Sequence, residues 1–155
     1  MHWGDVNSSI ANTQQKELAN FLFQNGVDFI LGSHPASLQP MEVRKNEEGK
    51  NVFIAYSTGN FISSSKYSYS NIEMILNIEV TKRGETGETR LSKVTYEPVY
   101  LWDRGESAAE RFILLNIKEE VAAYERGNTS RMDEQTYKEL VQALQDIERL
   151  IGKTE

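Results

Sequence analysis

The sequence predicts an α/β (α+β) fold, because helical and strand patterns alternate at the start of the chain and a run of strands follows. A helical stretch leads at once into a short apolar run, and a second apolar run comes after a polar turn. A long alternating hairpin pattern then precedes a helical stripe at the end of the chain. With 155 residues, 39% of them hydrophobic, the chain is long enough for one domain with a sizeable core.

The first helix is predicted from about Asn12 to Gly26, with Asn12 or Thr13 as its N-cap and Gly26 as its stop. The apolar run 27–31, closed by Gly32, predicts a buried strand directly after this helix. Residues after Gly32 should therefore lie at the carboxyl end of a strand, where open α/β sheets build their sites.

A second buried strand is predicted over residues 52–56, after a polar turn at 46–50. The small polar residues 57–60 follow this strand directly and should lie at its carboxyl end. The alternation of apolar and polar residues over 74–80, the turn 82–87 and the stretch from Thr89 to about Tyr100 predict a β-hairpin.

Residues 112–115 are compatible with a further strand, or with the beginning of a helix that continues through Tyr124. An apolar stripe at helical spacing runs from about Asp133 to the end and predicts a packed closing helix. The stretch 63–70 is interpreted as a loop whose Tyr67 and Tyr69 cover the sheet edge, with stacking on a sugar or peptide as the alternative.

Composition excludes several classes of function. The net charge is −6 with basic and acidic residues interleaved, which makes nucleic acid an unsuitable partner. There is no apolar run of the roughly 20 residues needed to span a bilayer and no export-signal pattern. Cysteine is absent, so disulfides and thiolate zinc sites are excluded, and neither a Gly-x-Ser-x-Gly elbow nor a phosphate-binding P-loop occurs.

The chain has two histidines, and both lie among residues that shape the backbone. His2 is in the string HWGD, and His34 is in GSHP. Two imidazoles placed by Gly and Pro turns are a candidate metal pair, provided that the two rings converge. The alternatives are a frayed terminus for His2 and a hydrogen bond within its own loop for His34.

Three strings together resemble a known family. HWGD, VDFILGSHPASLQPMEV and IAYSTGNFISS resemble, in order and separation, three C-terminal motifs of the CapA family of capsule and poly-γ-glutamate synthesis proteins, a branch of the calcineurin-like metallophosphoesterase superfamily. The resemblance covers about residues 2–65. It implies that the chain is the C-terminal part of a two-sheet sandwich flanked by helices, with His2 and His34 as metal ligands.

The resemblance also implies what this chain lacks. The family's remaining ligands, from an Asp-x-His, a bridging Asp and a Gly-Asn-His segment, precede the position of His2. Within the matched part, the family's Glu after His-Trp-Gly falls at Val6, with Asp5 nearby, and Ala36 replaces the second histidine of His-Pro-His. Because alanine offers no lone pair, we expect weak or no binding of Mn, Zn, Fe or Mg by this chain, unless water or Glu42 substitutes.

Four further residues are candidates for contact with substrate or with the metal ligands: Asn60, Gln39, Glu42 and Asp5. Asn60 follows Gly59 at a strand end, where a turn-forming role is the alternative. Gln39 and Glu42 suit either loop architecture or site lining. No catalytic residue is identifiable.

The resemblance implies a CapA-type domain half over residues 1–101, and the strand and helix patterns after it predict an extension over 102–155 that packs on it. The resemblance implies a role in capsule polymer synthesis or export at the cell envelope, with an anionic polymer or a phosphoester as substrate and other capsule synthesis proteins as partners. The alternative is a binding or assembly module without enzymatic activity. An unpaired sheet edge would favour a homodimer.

Overall fold

The structure is a computed structural model that describes residues 1–62 and 71–151. The predicted loop at 63–70, with Tyr67 and Tyr69, lies outside these residues. The elements in chain order are α1 (Thr13–Gln24), β1 (Phe29–Leu31), β2 (Met41–Lys45), β3 (Asn51–Ala55), β4 (Ile72–Lys82), β5 (Thr89–Asp103), β6 (Phe112–Asn116), α2 (Ile117–Glu125) and α3 (Glu134–Ile151).

Helix α1 begins as the sequence predicts. The Asn12 side chain accepts a hydrogen bond from the backbone N–H of Gln15, and the Gln15 side chain accepts one from the N–H of Asn12. This reciprocal capping box satisfies two donors that a helix start otherwise leaves open. The helix buries Ala19 and Phe23 against the first sheet.

The first sheet has the order β1-β3-β2, with β1 parallel to β3 and β2 antiparallel to it. Strands β1 and β3 confirm the two predicted buried strands. Strand β2 was not predicted, because its sequence Met-Glu-Val-Arg-Lys carries only two apolar residues and follows Pro40 directly. Glu42 therefore lies on a strand and not in a loop.

The second sheet is antiparallel, with the order β4-β5-β6. Strands β4 and β5 form the predicted hairpin, with a bulge between Glu79 and Val80. Residues 112–116 form a strand, which decides the ambiguity left by the sequence. Helix α2 then starts at Ile117, where the Asn116 side chain accepts from the N–H of Glu119.

Strand β3 separates two hydrophobic clusters because its successive side chains point to opposite faces. Val52, Ile54 and Tyr56 pack on one side with α1. Phe53 and Ala55 pack on the other side with residues of the second sheet and of α3. The α+β class with two sheets and packed helices is thereby confirmed, whereas the boundary after residue 101 stays a prediction.

No helix within the described ranges combines the length and the apolar character needed to cross a bilayer.

Candidate functional site: a histidine pair at a strand end

The rings of His2 and His34 lie together, with their centroids 4.3 Å apart and their planes tilted by 49°. A parallel bridge pairs His2 with Ser33, the residue before His34. The N–H of Ser33 donates to the carbonyl of Met1 at 2.8 Å, and the N–H of Trp3 donates to the carbonyl of Ser33 at 3.1 Å. The backbone thus brings the two exposed imidazoles to the carboxyl end of β1.

The loop that carries His34, residues 33–37, crosses the end of β3. On one side of the loop, the carbonyl of Gly32 accepts from the N–H of Thr58 at 3.3 Å. On the other side, the N–H of Gln39 donates to the carbonyl of Ser57 at 3.1 Å. Residues 57–58 therefore hold both stems of the loop in place.

Gly32 is required where the loop begins. A Cβ at this position would lie 1.9 Å from the carbonyl oxygen of Tyr56 and 2.5 Å from the Nε1 atom of Trp3. The Trp3 indole donates to that same carbonyl at 2.8 Å and is buried. Trp3 consequently belongs to the core beneath the pair and is not a wall of an open site.

The loop holds two residues in the left-handed region of backbone conformation. The φ angle of His34 is +101° and that of Ala36 is +59°. Such conformations cost of order 1–3 kcal/mol for residues with side chains and cluster at functional sites. The strain falls on the residue that supplies the second imidazole and on the residue that replaces the family's further histidine.

Gln39 is part of the architecture and does not line the site. It is fully buried, and its Nε2 donates to the carbonyls of Ser8 and Ile10 at 2.9 and 3.1 Å. Its Oε1 accepts from Gln15 at 2.8 Å. Since its amide is used by the scaffold, Gln39 holds the segment after His2-Trp3-Gly4 against β2.

Asp5 and Glu42 are bonded elsewhere. Asp5 is exposed and accepts from the Asn12 side chain at 2.9 Å, which ties it to the start of α1. Glu42 accepts from the hydroxyl of Tyr56 at 3.3 Å and lies 3.9 Å from Arg44. The structure gives neither carboxylate a contact with the histidine rings, although Asp5 lies close to His2 along the chain.

Asn60 lies two residues beyond the point where Thr58 binds the His34 loop. Its backbone N–H donates at 3.0 Å to Oε2 of Glu73, a buried carboxyl on β4 that sequence reasoning missed. The signal was present, since Glu73 is a charged residue inside the apolar run Ile-Glu-Met-Ile-Leu. Burial raises the pKa of Glu73 to about 7, while the backbone N–H groups of Phe61 and Asn60 act in the opposite direction.

The histidine pair fits part of a metal site. Imidazole nitrogens bind zinc at about 2.0–2.1 Å, so two rings on one ion have centroids roughly 5 Å apart. The observed distance between the ring centroids is 4.3 Å, so the two rings would need to move apart only slightly to bind one ion. Within residues 1–62 and 71–151, no cluster of three or more His, Cys, Asp or Glu residues able to hold an ion is found.

In this mixed α/β fold, the segment that contains His2 and the loop after β1 place two imidazoles together at the carboxyl end of β1, the edge where open α/β sheets commonly bind ligands. Residues 1–65 match the family model of the bacterial capsule synthesis protein PGA_cap. The chain is therefore similar to this family over residues 1–65, and the matched part contains both histidines, Gln39 and Asn60.

Two curated relatives are similar over this region. The PGA biosynthesis protein CapA of Bacillus subtilis (strain 168) is 29% identical over 93 residues, which is 60% of this chain and 23% of the relative. The capsule biosynthesis protein CapA of Bacillus anthracis is 36% identical over 61 residues, 39% of this chain and 14% of the relative. The matched part thus spans less than a quarter of either relative. No solved structure matches the chain significantly.

Proposed function

We propose that this chain acts in the synthesis or export of a capsule polymer of the poly-γ-glutamate kind, and that His2 and His34 supply part of a divalent-metal centre. The observation that carries the proposal is the 4.3 Å separation of the two rings at the end of β1. The capsule role is supported by the match of residues 1–65 to the family model and by the names of both relatives.

In this proposal each imidazole donates a ring nitrogen to Mn, Zn, Fe or Mg, and the His34 loop fixes the direction of its ring. When bound, such an ion polarises a phosphoryl oxygen or lowers the pKa of a bound water. A phosphoester or an anionic polymer would then be the substrate. Further ligands, other capsule synthesis proteins and a location at the cell envelope belong to the same proposal.

The second candidate function is a binding or assembly module without enzymatic activity. It is favoured by one observation, that the described residues give the histidine pair no third protein ligand. Ala36, in place of the family's further histidine, points in the same direction.

A calorimetric titration with Zn²⁺ and with Mn²⁺ distinguishes the metal-centre proposal from the assembly module. If the metal proposal holds, the wild-type chain should bind one ion weakly, no more tightly than about micromolar, and His34→Gly should weaken this binding at least tenfold. Glycine is chosen because the φ angle of +101° at this position suits it, so the ring is removed without straining the loop. Glu119→Gln, at an exposed acid on α2, is the matched control and should bind like the wild type.

Two results would contradict the metal proposal. One is the absence of binding, which leaves the assembly module. The other is binding that His34→Gly does not weaken, because the ion would then be held without His34.

The capsule role has its own test in cells. In the bacterium that encodes this chain, His34→Gly introduced at the native locus should lower the amount of anionic capsule polymer, whereas Glu119→Gln should not. Unchanged polymer in a His34→Gly strain with normal protein level would contradict a role of the pair in synthesis.

A further inference from the structure

Glu73 is a buried carboxyl that connects the two sheets. It lies on β4 and is only 1% exposed. Its Oε2 accepts from the N–H of Asn60, in the loop after β3 of the first sheet. Among the described residues no Lys, Arg or His forms an ion pair with it, so backbone N–H groups are its polar contacts on this side.

Gly59 shows how closely the loop approaches this carboxyl. Its φ angle is +80°, and a Cβ at this position would lie 2.0 Å from Oε2 of Glu73. The loop backbone thus rests directly on the carboxyl group, and only glycine permits the contact. Glu73 fixes the path of the chain at Gly59 and Asn60 by both contact and hydrogen bonding.

The same loop adjoins the His34 loop. Ser57 and Thr58, immediately before Gly59, make the two hydrogen bonds that hold the stems of loop 33–37. A displacement at Gly59 therefore acts on the backbone that orients His34. The hydrogen bond from Asn60, the backbone of residues 58–60 and the hydrogen bond from Thr58 thus connect Glu73 to Gly32, two residues before His34.

An ionised carboxyl is costly to bury, so a neutral side chain would be more stable than Glu73 at this position. Tyr100 on β5 pairs with Ile72, the residue before Glu73. Its hydroxyl donates to Glu139 of α3 and not to Glu73. Buried carboxyls whose ionisation is opposed by their surroundings concentrate at functional sites. The position of Glu73 under a site loop fits that pattern.

We propose that Glu73 is a positioning residue that sets the Gly59–Asn60 backbone and, through it, the loop that presents His34. The consequence for metal binding rests on the proposed function, whereas the coupling between Glu73 and the loop does not.

The coupling is tested without metal by following the backbone amide resonances of Asn60, Phe61 and His34 from pH 5 to pH 9. In the wild type all three should share an inflection near neutral pH. Because other groups ionise in the same range, the comparison is between variants. Glu73→Gln should remove the shared inflection, and Glu79→Gln, an exposed position on the same strand, should keep it.

The coupling is overturned if Glu73→Gln leaves the inflection unchanged, or if Asn60 responds while His34 does not. Gly59→Ala provides a second variant should Glu73→Gln fail to fold. Its methyl group displaces the loop while the carboxyl stays, so the His34 amide should shift at every pH. An unshifted His34 amide in Gly59→Ala would also overturn the proposal.

The functional consequence is measured by Zn²⁺ titration. Glu73→Gln should bind at least fivefold more weakly than the wild type, and Glu79→Gln should bind equally well. An unchanged affinity in Glu73→Gln would show that the carboxyl does not position the pair. If the wild type itself binds no ion, the proposed metal site is contradicted. The amide titration then still tests whether Glu73 positions the His34 loop.

Discussion

Ala36 is the residue that would limit metal binding by the proposed histidine pair. It lies two residues after His34 in the same loop, and its φ angle of +59° is one that histidine adopts more readily than most residues. The residue therefore limits the site by its chemistry and not by its backbone.

Restoring an imidazole at this position should strengthen binding. We expect Ala36→His to raise the affinity for Zn²⁺ at least tenfold, because a third nitrogen ligand completes the protein part of a common zinc geometry. Calorimetry measures this, with Ala36→Gln as a control of similar size that adds no imidazole. Equal affinities for the two variants would mean that position 36 does not face the pair.

Glu73 gives the molecule a pH dependence whose sign follows from its pKa. The folded-state pKa of about 7 exceeds the ordinary value of 4.5, so between these pH values the folded state holds more protons than the unfolded state. The contribution of Glu73 is thus fully present below pH 4.5 and is lost as pH rises to 7, by about 3 kcal/mol.

Glu73→Gln should remove this loss. Its free energy of unfolding, measured by urea denaturation, should change less between pH 5 and pH 8 than that of the wild type, by up to about 3 kcal/mol. Glu79→Gln should follow the wild type. Parallel pH profiles for the wild type and Glu73→Gln would contradict the raised pKa.

At the scale of elements, the sequence was most informative where a local signal was strong. The start of α1 after its N-cap Asn12, the buried strands β1 and β3, and the β4-β5 hairpin all follow from patterns within a few residues. Strand β2 was missed, since its pairing with β3 depends on a partner and not on its own sequence.

The candidate site shows the same division. His2 and His34 were predicted from their motifs, and the structure brings their rings together. The assignment of Gln39 to the scaffold required its partners Ser8, Ile10 and Gln15, which are 24 to 31 residues away. The role of Glu73 could not be predicted, because it depends on a contact between the two sheets. A single sequence does not show which residues of two sheets meet.

The buried Gln15–Gln39 pair joins the segment after His2-Trp3-Gly4, the start of α1 and the approach to β2. Gln39→Ala would leave these partners unsatisfied in the interior, so we expect it to lower the free energy of unfolding by roughly 2–4 kcal/mol. Gln142→Ala, at an exposed amide on α3, should cost less than about 1 kcal/mol. Similar losses in the two variants, measured by urea denaturation, would show that the buried amides contribute little.

At the scale of the whole molecule, β1 forms one edge of the first sheet. Among the described residues, the segment Met1 to Trp3 pairs with Leu31 and Ser33, at the end of β1, and leaves the rest of this edge open. Leu31 on this edge is 49% exposed. An edge with unpaired N–H and C=O groups is a template for another strand. The homodimer expected from the sequence stays a prediction, and β1 is the edge at which we propose that it forms.

Sedimentation velocity over a range of concentrations tests that expectation. The wild type should associate reversibly, and Leu31→Lys should shift the equilibrium toward monomer, because charges on an edge oppose strand pairing. Val80→Lys, at a similarly exposed apolar residue on β4, is the control. A wild type that stays monomeric at high concentration would contradict association through β1.

The central claim is that His2 and His34 bind the same ion, and the side-chain ¹⁵N resonances of the two imidazoles test it most directly. During a titration with Zn²⁺, both rings should shift together and reach their end point at one ion per chain. A titration in which His2 responds alone, or in which neither ring responds, would contradict the claim.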